Sequence, residues 1–154
     1  MLFWRIETFP TLEAAEAAAG SWGLAAEAGG KVWLFTLGLE GGETPSGTLV
    51  AEVGPLSEVV APNYLLRVNE ANAVPGGSTK AHTHPGAEAF YVLAGEVSIR
   101  TPEGVMTVGA EQAMVGHTPG TIMQLYTSGS TDLHQLVMFV VDATQPFSSP
   151  AELP

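Results

Sequence analysis

From Trp22 to Val141 the chain is a succession of short apolar runs, each closed by turn-forming residues. Residues 31–37 are aromatic and β-branched, the composition of a well-buried strand. Residues 24–28 and 31–37 flank Gly29-Gly30, a two-residue hairpin signal. Residues 96–101 and 104–108 flank Pro102-Glu103 in the same manner. Further strands are predicted over 48–53, 64–71, 88–93, 113–115, 121–127 and 133–141. Turn signals at roughly 8–12-residue spacing leave a sandwich or a barrel as the architecture. One helix is predicted, over 12–19. Thr11 caps it, Leu12 and the alanines propagate it, and Gly20 ends it. The tail from Thr144 is rich in Pro and Ser and is expected to lie extended over the surface.

Within this β pattern one stretch, residues 76–95, gathers most of the chemistry. His82 and His84 alternate, so an extended backbone points both to one face. Pro85 and Gly86 mark a turn. Glu88 then opens a strand and can swing back onto the imidazoles. Two imidazoles and one carboxylate leave open positions on a first-row metal, as in non-haem iron sites. A structural zinc site favours thiolates and a fourth protein ligand, and this chain has no Cys. The competing reading is a loop whose two histidines are merely solvated.

The spacing resembles the first motif of the cupin superfamily: Gly, five residues, His, any, His, three or four residues, Glu, six residues, Gly. Gly76, His82, His84, Glu88 and Gly95 meet every fixed position. The family's second motif reads Gly, five residues, Pro, any, Gly, two residues, His, three residues, Asn. Begun at Gly109, that frame puts Val115 at the Pro, His117 at the Gly, Gly120 at the metal-binding His and Gln124 at the Asn. The resemblance therefore covers about half of the chain. It implies an all-β cupin jelly-roll double-stranded β-barrel with one short N-terminal helix. The whole of 1–154 is then a single cupin domain. Its core spans about 45–142, the helix and hairpin span 11–37, and the tail spans 144–154.

The same resemblance implies a divalent metal ion (Fe, Mn, Ni or Zn) held by His82, His84 and Glu88. His117, Gln124 or His134 is placed to supply a fourth ligand, with water as the alternative. Strand alternation puts Phe90 and Val92 on the Glu88 face, and Ile122 and Tyr126 on the Gln124 face, so these residues are expected to line a pocket. Ordinary core packing is the equal alternative. Alternation puts Arg67 on one face of its strand with Leu65 and Asn69; inside the barrel it suits a carboxylate, and the commoner alternative is an exposed or paired position on the rim.

Composition removes several function classes. The net charge is −11, from 16 acids against five bases. Nucleic acid and anionic membranes should be repelled. The longest apolar runs fall short of a membrane span, and MLFWRIETFP lacks the apolar core of a secretory signal. A cytoplasmic location is expected unless a signal peptide has been removed. A small molecule is the expected partner, and the apolar 22–37 region suggests a homodimer. Two functions follow. One is a mononuclear metalloenzyme acting on a small oxygen-bearing substrate (dioxygenase-like, isomerase or lyase), with Glu88 also a candidate to move a proton. The other is a non-catalytic small-molecule-binding cupin. Small single-domain cupins of this form are similar to quercetin dioxygenase-type proteins, which does not fix a substrate. A metal-free structural cupin is a third reading, and the intact first motif argues against it.

Overall fold

The computed structural model describes residues 1–154 and places them in two compact units, Met1–Leu56 and Ser57–Pro154. The first unit opens with β1 (Phe3–Phe9), a strand that sequence reading had passed over, and α1 (Leu12–Ala18). The Thr11 side chain accepts a hydrogen bond from the Ala14 N–H at 3.1 Å, the expected cap. A hairpin of β2 (Gly23–Ala28) and β3 (Lys31–Gly38) turns at Gly29-Gly30, both with positive φ. After β4 (Thr48–Val53), the sheet order is β2-β3-β1-β4. β4 pairs with β1 and so belongs to the first unit, which ends at Leu56. Trp33, Leu34, Phe35 and Leu37 are buried within this chain, so the 22–37 region does not offer them as an apolar surface; Trp22 alone of its large aromatics is exposed.

The second unit carries β5 (Tyr64–Ala73), β6 (His82–Thr83), β7 (Gly86–Ala94), β8 (Glu96–Thr101), β9 (Gly104–Gly109), β10 (Ala113–Val115), β11 (Gln124–Thr127), β12 (Leu133–Asp142) and β13 (Ser149–Pro150). These form sheets ordered β10-β7-β12-β5 and β11-β8-β9, with a small β13-β6 ladder. The two larger sheets pack face to face as a jelly roll does. Phe90, Val137, Phe139 and Val141 from one sheet meet Ile99 of the other, with Met123 beside them. Val92 and Leu133 meet Val97 and Val108 further along. The all-β reading with a single helix is what the structure shows. No helix is long and apolar enough to cross a membrane.

Two positions of the stretch 76–95 explain its glycines. Gly95 sits at φ +80°, and a Cβ there would lie 2.5 Å from the Asp132 carbonyl oxygen. Gly76, also at φ +80°, has open space around it.

Candidate functional site

His82 lies on β6 and faces Met123 across an isolated antiparallel bridge, so the two side chains share one side of the ladder. Met123 is buried in the core, which aims the histidine face inward. His84, two residues on, follows to the same face and is buried. The imidazole rings meet edge to face, 4.9 Å between centroids.

Each ring is held by a carbonyl. His82 Nδ1 donates to Lys80 O at 2.7 Å, and His84 Nδ1 donates to Phe147 O at 2.6 Å. A carbonyl only accepts, so each Nδ1 carries a proton, and in the neutral ring the Nε2 lone pair is then left free. Burial lowers the His84 pKa, the bond to Phe147 partly offsets this, and electrostatic repulsion from His82 and Arg67 lowers it further. His84 is thus kept neutral, the form that binds a metal.

Glu88, on β7, is almost completely buried, and burial pushes its pKa up to about 8. Its Oε1 has no hydrogen-bond partner. Gly116 packs directly on it: a Cβ at Gly116 would lie 2.5 Å from Glu88 Cγ, and the Gly116 N–H donates to Glu88 O at 2.7 Å. His117 follows, and its Nε2 is likewise buried without a partner. No three His, Asp or Glu side chains are gathered closely enough to hold a metal. The structure brings His82 and His84 together and leaves Glu88 apart from the pair. On β12, Phe139 stands opposite Glu88 and packs its ring 4.9 Å from that of His84.

Arg67 stands opposite Phe139 from the other side, on β5. Its guanidinium lies 4.2 Å over the Phe147 ring, and its Nε donates to Asn69 Oδ1 at 2.8 Å. Phe147 also packs on His84 and Phe139. A cavity of about 320 Å³ opens beside His84, walled by Thr83, Pro85, Gly120, Asp142 and Gln145 among others.

Several expected lining residues lie elsewhere. Phe90 and Val92 do share the Glu88 face, but both are fully buried core residues. The expected parity of 121–127 is reversed. Leu125 pairs with Ile99 and packs on the core, whereas Gln124 and Tyr126 pair with Arg100 and Ser98. Gln124 donates to Thr79 O at 3.1 Å, and Tyr126 lies under the Arg100 guanidinium at 5.7 Å. Gln124 and Tyr126 are therefore on the opposite face from Met123 and Leu125, and Ile122, half-buried, precedes that inward Met123. His134 also points away from the histidine pair. It alternates with the inward Leu133 and Gln135, and its Nε2 lies 3.3 Å from Glu70 Oε2.

Two residues of this site were missed in the sequence. Phe147 acts through its backbone carbonyl, for which no motif exists. For Met123, counting from Gly120 as the motif's second glycine puts the His position on Met123, but Thr118 then stands at the Pro and Thr127 at the Asn.

Residues 70–139 match the family model described as Cupin domain. No curated protein matches the sequence. Among solved structures, a cupin-like protein from Thermotoga maritima is 13% identical and superposes with a TM-score of 0.51, over 57% of this chain and 65% of that one. A double-stranded β-helix protein from Klebsiella pneumoniae is 25% identical with a TM-score of 0.48, over 56% of this chain and 75% of that one. The polyketide cyclase RemF of Streptomyces resistomycificus is 23% identical, again with a TM-score of 0.48, over 58% and 62%. The chain thus spans less than two thirds of the Thermotoga and Streptomyces proteins.

Proposed function

We propose that this chain, which belongs to the cupin superfamily through the domain at residues 70–139, binds a divalent metal and acts on a small oxygen-bearing organic molecule. The observation that carries this reading is the matched pair of tautomers. Lys80 O and Phe147 O each hold an Nδ1–H, which turns the Nε2 atoms of His82 and His84 to the free side of each ring, where a neutral imidazole donates to a metal. Glu88 Oε1 and His117 Nε2, both buried and unpartnered, are the further donors that a cation would draw in. The donor set, nitrogen and oxygen without thiolate, suits Fe, Mn, Ni or Zn.

When bound, such a metal polarises substrate oxygens as a Lewis acid or exchanges electrons with dioxygen. The chain's own contribution is orientation and charge. Arg67, braced by Phe147 and Asn69, places a cation near His84, where an anionic oxygen group would settle. Without metal, burial keeps Glu88 protonated, so a cation that draws this carboxylate in must displace its proton. The wall of Phe139 and Phe147 excludes water from the buried face of His84.

One observation favours a second reading, a non-catalytic binding module: no carboxylate stands with the histidine pair. The deciding experiment is metal content after purification without a chelating column and reconstitution with each candidate metal. The metalloprotein reading expects about one metal per chain, lost in His84→Ala with the fold retained. Absence of stoichiometric metal in the parent protein overturns it. Oxygen uptake and water exchange at the bound metal then separate enzyme from binder.

A further inference from the structure

A second pocket, of about 350 Å³, lies among Val97, Leu125, Leu133, Thr127, Gln135 and the loop at 74–79. It stands apart from the histidines. Gln135 is four residues before Phe139 on β12, which places it about 13 Å along the strand. Gln135 shares the inward face of β12 with Leu133 and Val137, opposite Ala71 of β5 and Val92 of β7.

The wall at 74–79 is built. The Gly76 N–H donates to Thr127 O at 3.0 Å, and the Thr127 N–H donates to Gly77 O at 2.9 Å. The Thr79 N–H donates to Leu125 O at 2.9 Å, and the Leu125 N–H donates to Thr79 Oγ1 at 3.0 Å. The pocket is therefore preformed rather than opened by a loose loop.

Two polar atoms among its lining residues have no partner. Gln135 Oε1 and Thr127 Oγ1 are both buried without a hydrogen bond, on residues 4% and 3% exposed. Buried polar atoms are ordinarily satisfied, so a pair of orphans at one pocket needs an account. An amide oxygen only accepts, so Gln135 requires an N–H or O–H from outside. No Asp, Glu, Lys, Arg or His lines the pocket, so a charged guest would lose its hydration without a counter-ion. The volume is at the small end for ligand pockets.

We infer that this pocket is a second binding site, independent of any metal, for a small neutral molecule with an apolar body and one hydroxyl donor. The body lies against Val97, Leu125 and Leu133, and the hydroxyl donates to Gln135 Oε1 while accepting from Thr127 Oγ1.

The test titrates the full chain, methyl-labelled at Val and Leu, with p-cresol, toluene and p-toluate. These are close in size and differ in donor and charge. Saturable shifts are expected from p-cresol at Val97, Leu125 and Leu133, with Val59 and Val60 beside His84 unmoved. Toluene should bind at least roughly tenfold more weakly, the worth of one hydrogen bond to an otherwise unsatisfied group. p-Toluate should not reach these methyls. Thr127→Val, close in shape, and Gln135→Leu should each reduce the preference for p-cresol over toluene. No saturable p-cresol shift at these methyls overturns the proposal. So does equal binding of toluene and p-cresol in the parent protein, which needs no variant and would leave water as the partner of both atoms.

Discussion

His82 and Met123 exchange both backbone hydrogen bonds, each N–H donating to the other's carbonyl at 2.9 Å. This pairing carries the Met123 side chain to the histidine face. Gly120, the position expected from sequence, is different. It sits at φ +79°, and its N–H donates to His84 O at 3.0 Å.

Met123→His should therefore add a metal ligand where Gly120→His does not. Without metal the new imidazole is buried among Phe90, Ile99 and Phe139 and lacks a partner, a cost of about 1–3 kcal/mol. Metal binds only the folded state and should return that stability, so the melting temperature of the variant should rise more on adding Zn or Mn than that of the parent. A metal-induced rise no larger than the parent's would place Met123 away from the metal.

The tail is part of the site rather than a surface cover. Pro150 pairs with His82, the Ala151 N–H donates to Ala81 O at 3.1 Å, and Phe147 O fixes His84. The start of the tail is pinned as well, with Thr144 and Gln145 donating to the Asp142 carboxylate. Truncation after Gln145 should weaken metal affinity roughly 10- to 100-fold, the usual worth of an outer-shell partner to a metal-binding His. Removing only residues 152–154 should leave it unchanged. Titration with a competing chelator measures both, and equal affinities would show that Phe147 does not orient His84.

Burial of Glu88 makes metal-free stability depend on pH in an unusual direction. Its folded pKa, about 8, lies above the ordinary value of 4.5, so between those values the native state binds the extra proton. Stability should fall as pH rises through that window, by up to about 1.4 kcal/mol per pH unit. His84 acts oppositely. Its lowered pKa means the unfolded chain binds the proton first, so its contribution is lost as pH falls below 6.5. Glu88→Gln should flatten the decline between pH 6.5 and 8 in urea midpoints. A parent protein equally stable at both ends of that range would mean Glu88 ionises without cost.

Much of both units was legible because strand alternation and turn residues act locally. Residues 113–115 became β10, and the Gly29-Gly30 and Pro102-Glu103 turns fell where expected. The fold's one helix was legible for the same reason, through the Thr11 cap. The errors came from relations that sequence order does not encode. Parity along 121–127 depends on which residue meets Ile99 across the ladder, and Leu125 does so. The role of the tail rests on a carbonyl brought back 63 residues from His84. Glu88 was legible as an inward residue.

The two outer glycines of the stretch 76–95 give a last expectation, because their burdens differ. Both have φ +80°, so Ala at either position meets the left-handed penalty of about 1–2 kcal/mol. At Gly76 nothing lies within 4 Å of the added Cβ, and the penalty should stop there. At Gly95 the Cβ would lie 2.5 Å from Asp132 O and 2.9 Å from Leu133 Cα. Those atoms are backbone at the start of β12, which is paired with β5 and β7 on either side and cannot retreat without breaking a ladder. Gly95→Ala should add an overpacking cost of about 1–3 kcal/mol to the conformational one. Urea unfolding of both variants measures the difference. Equal losses would mean that Gly95 is set by backbone conformation alone and that β12 yields to the intruding methyl.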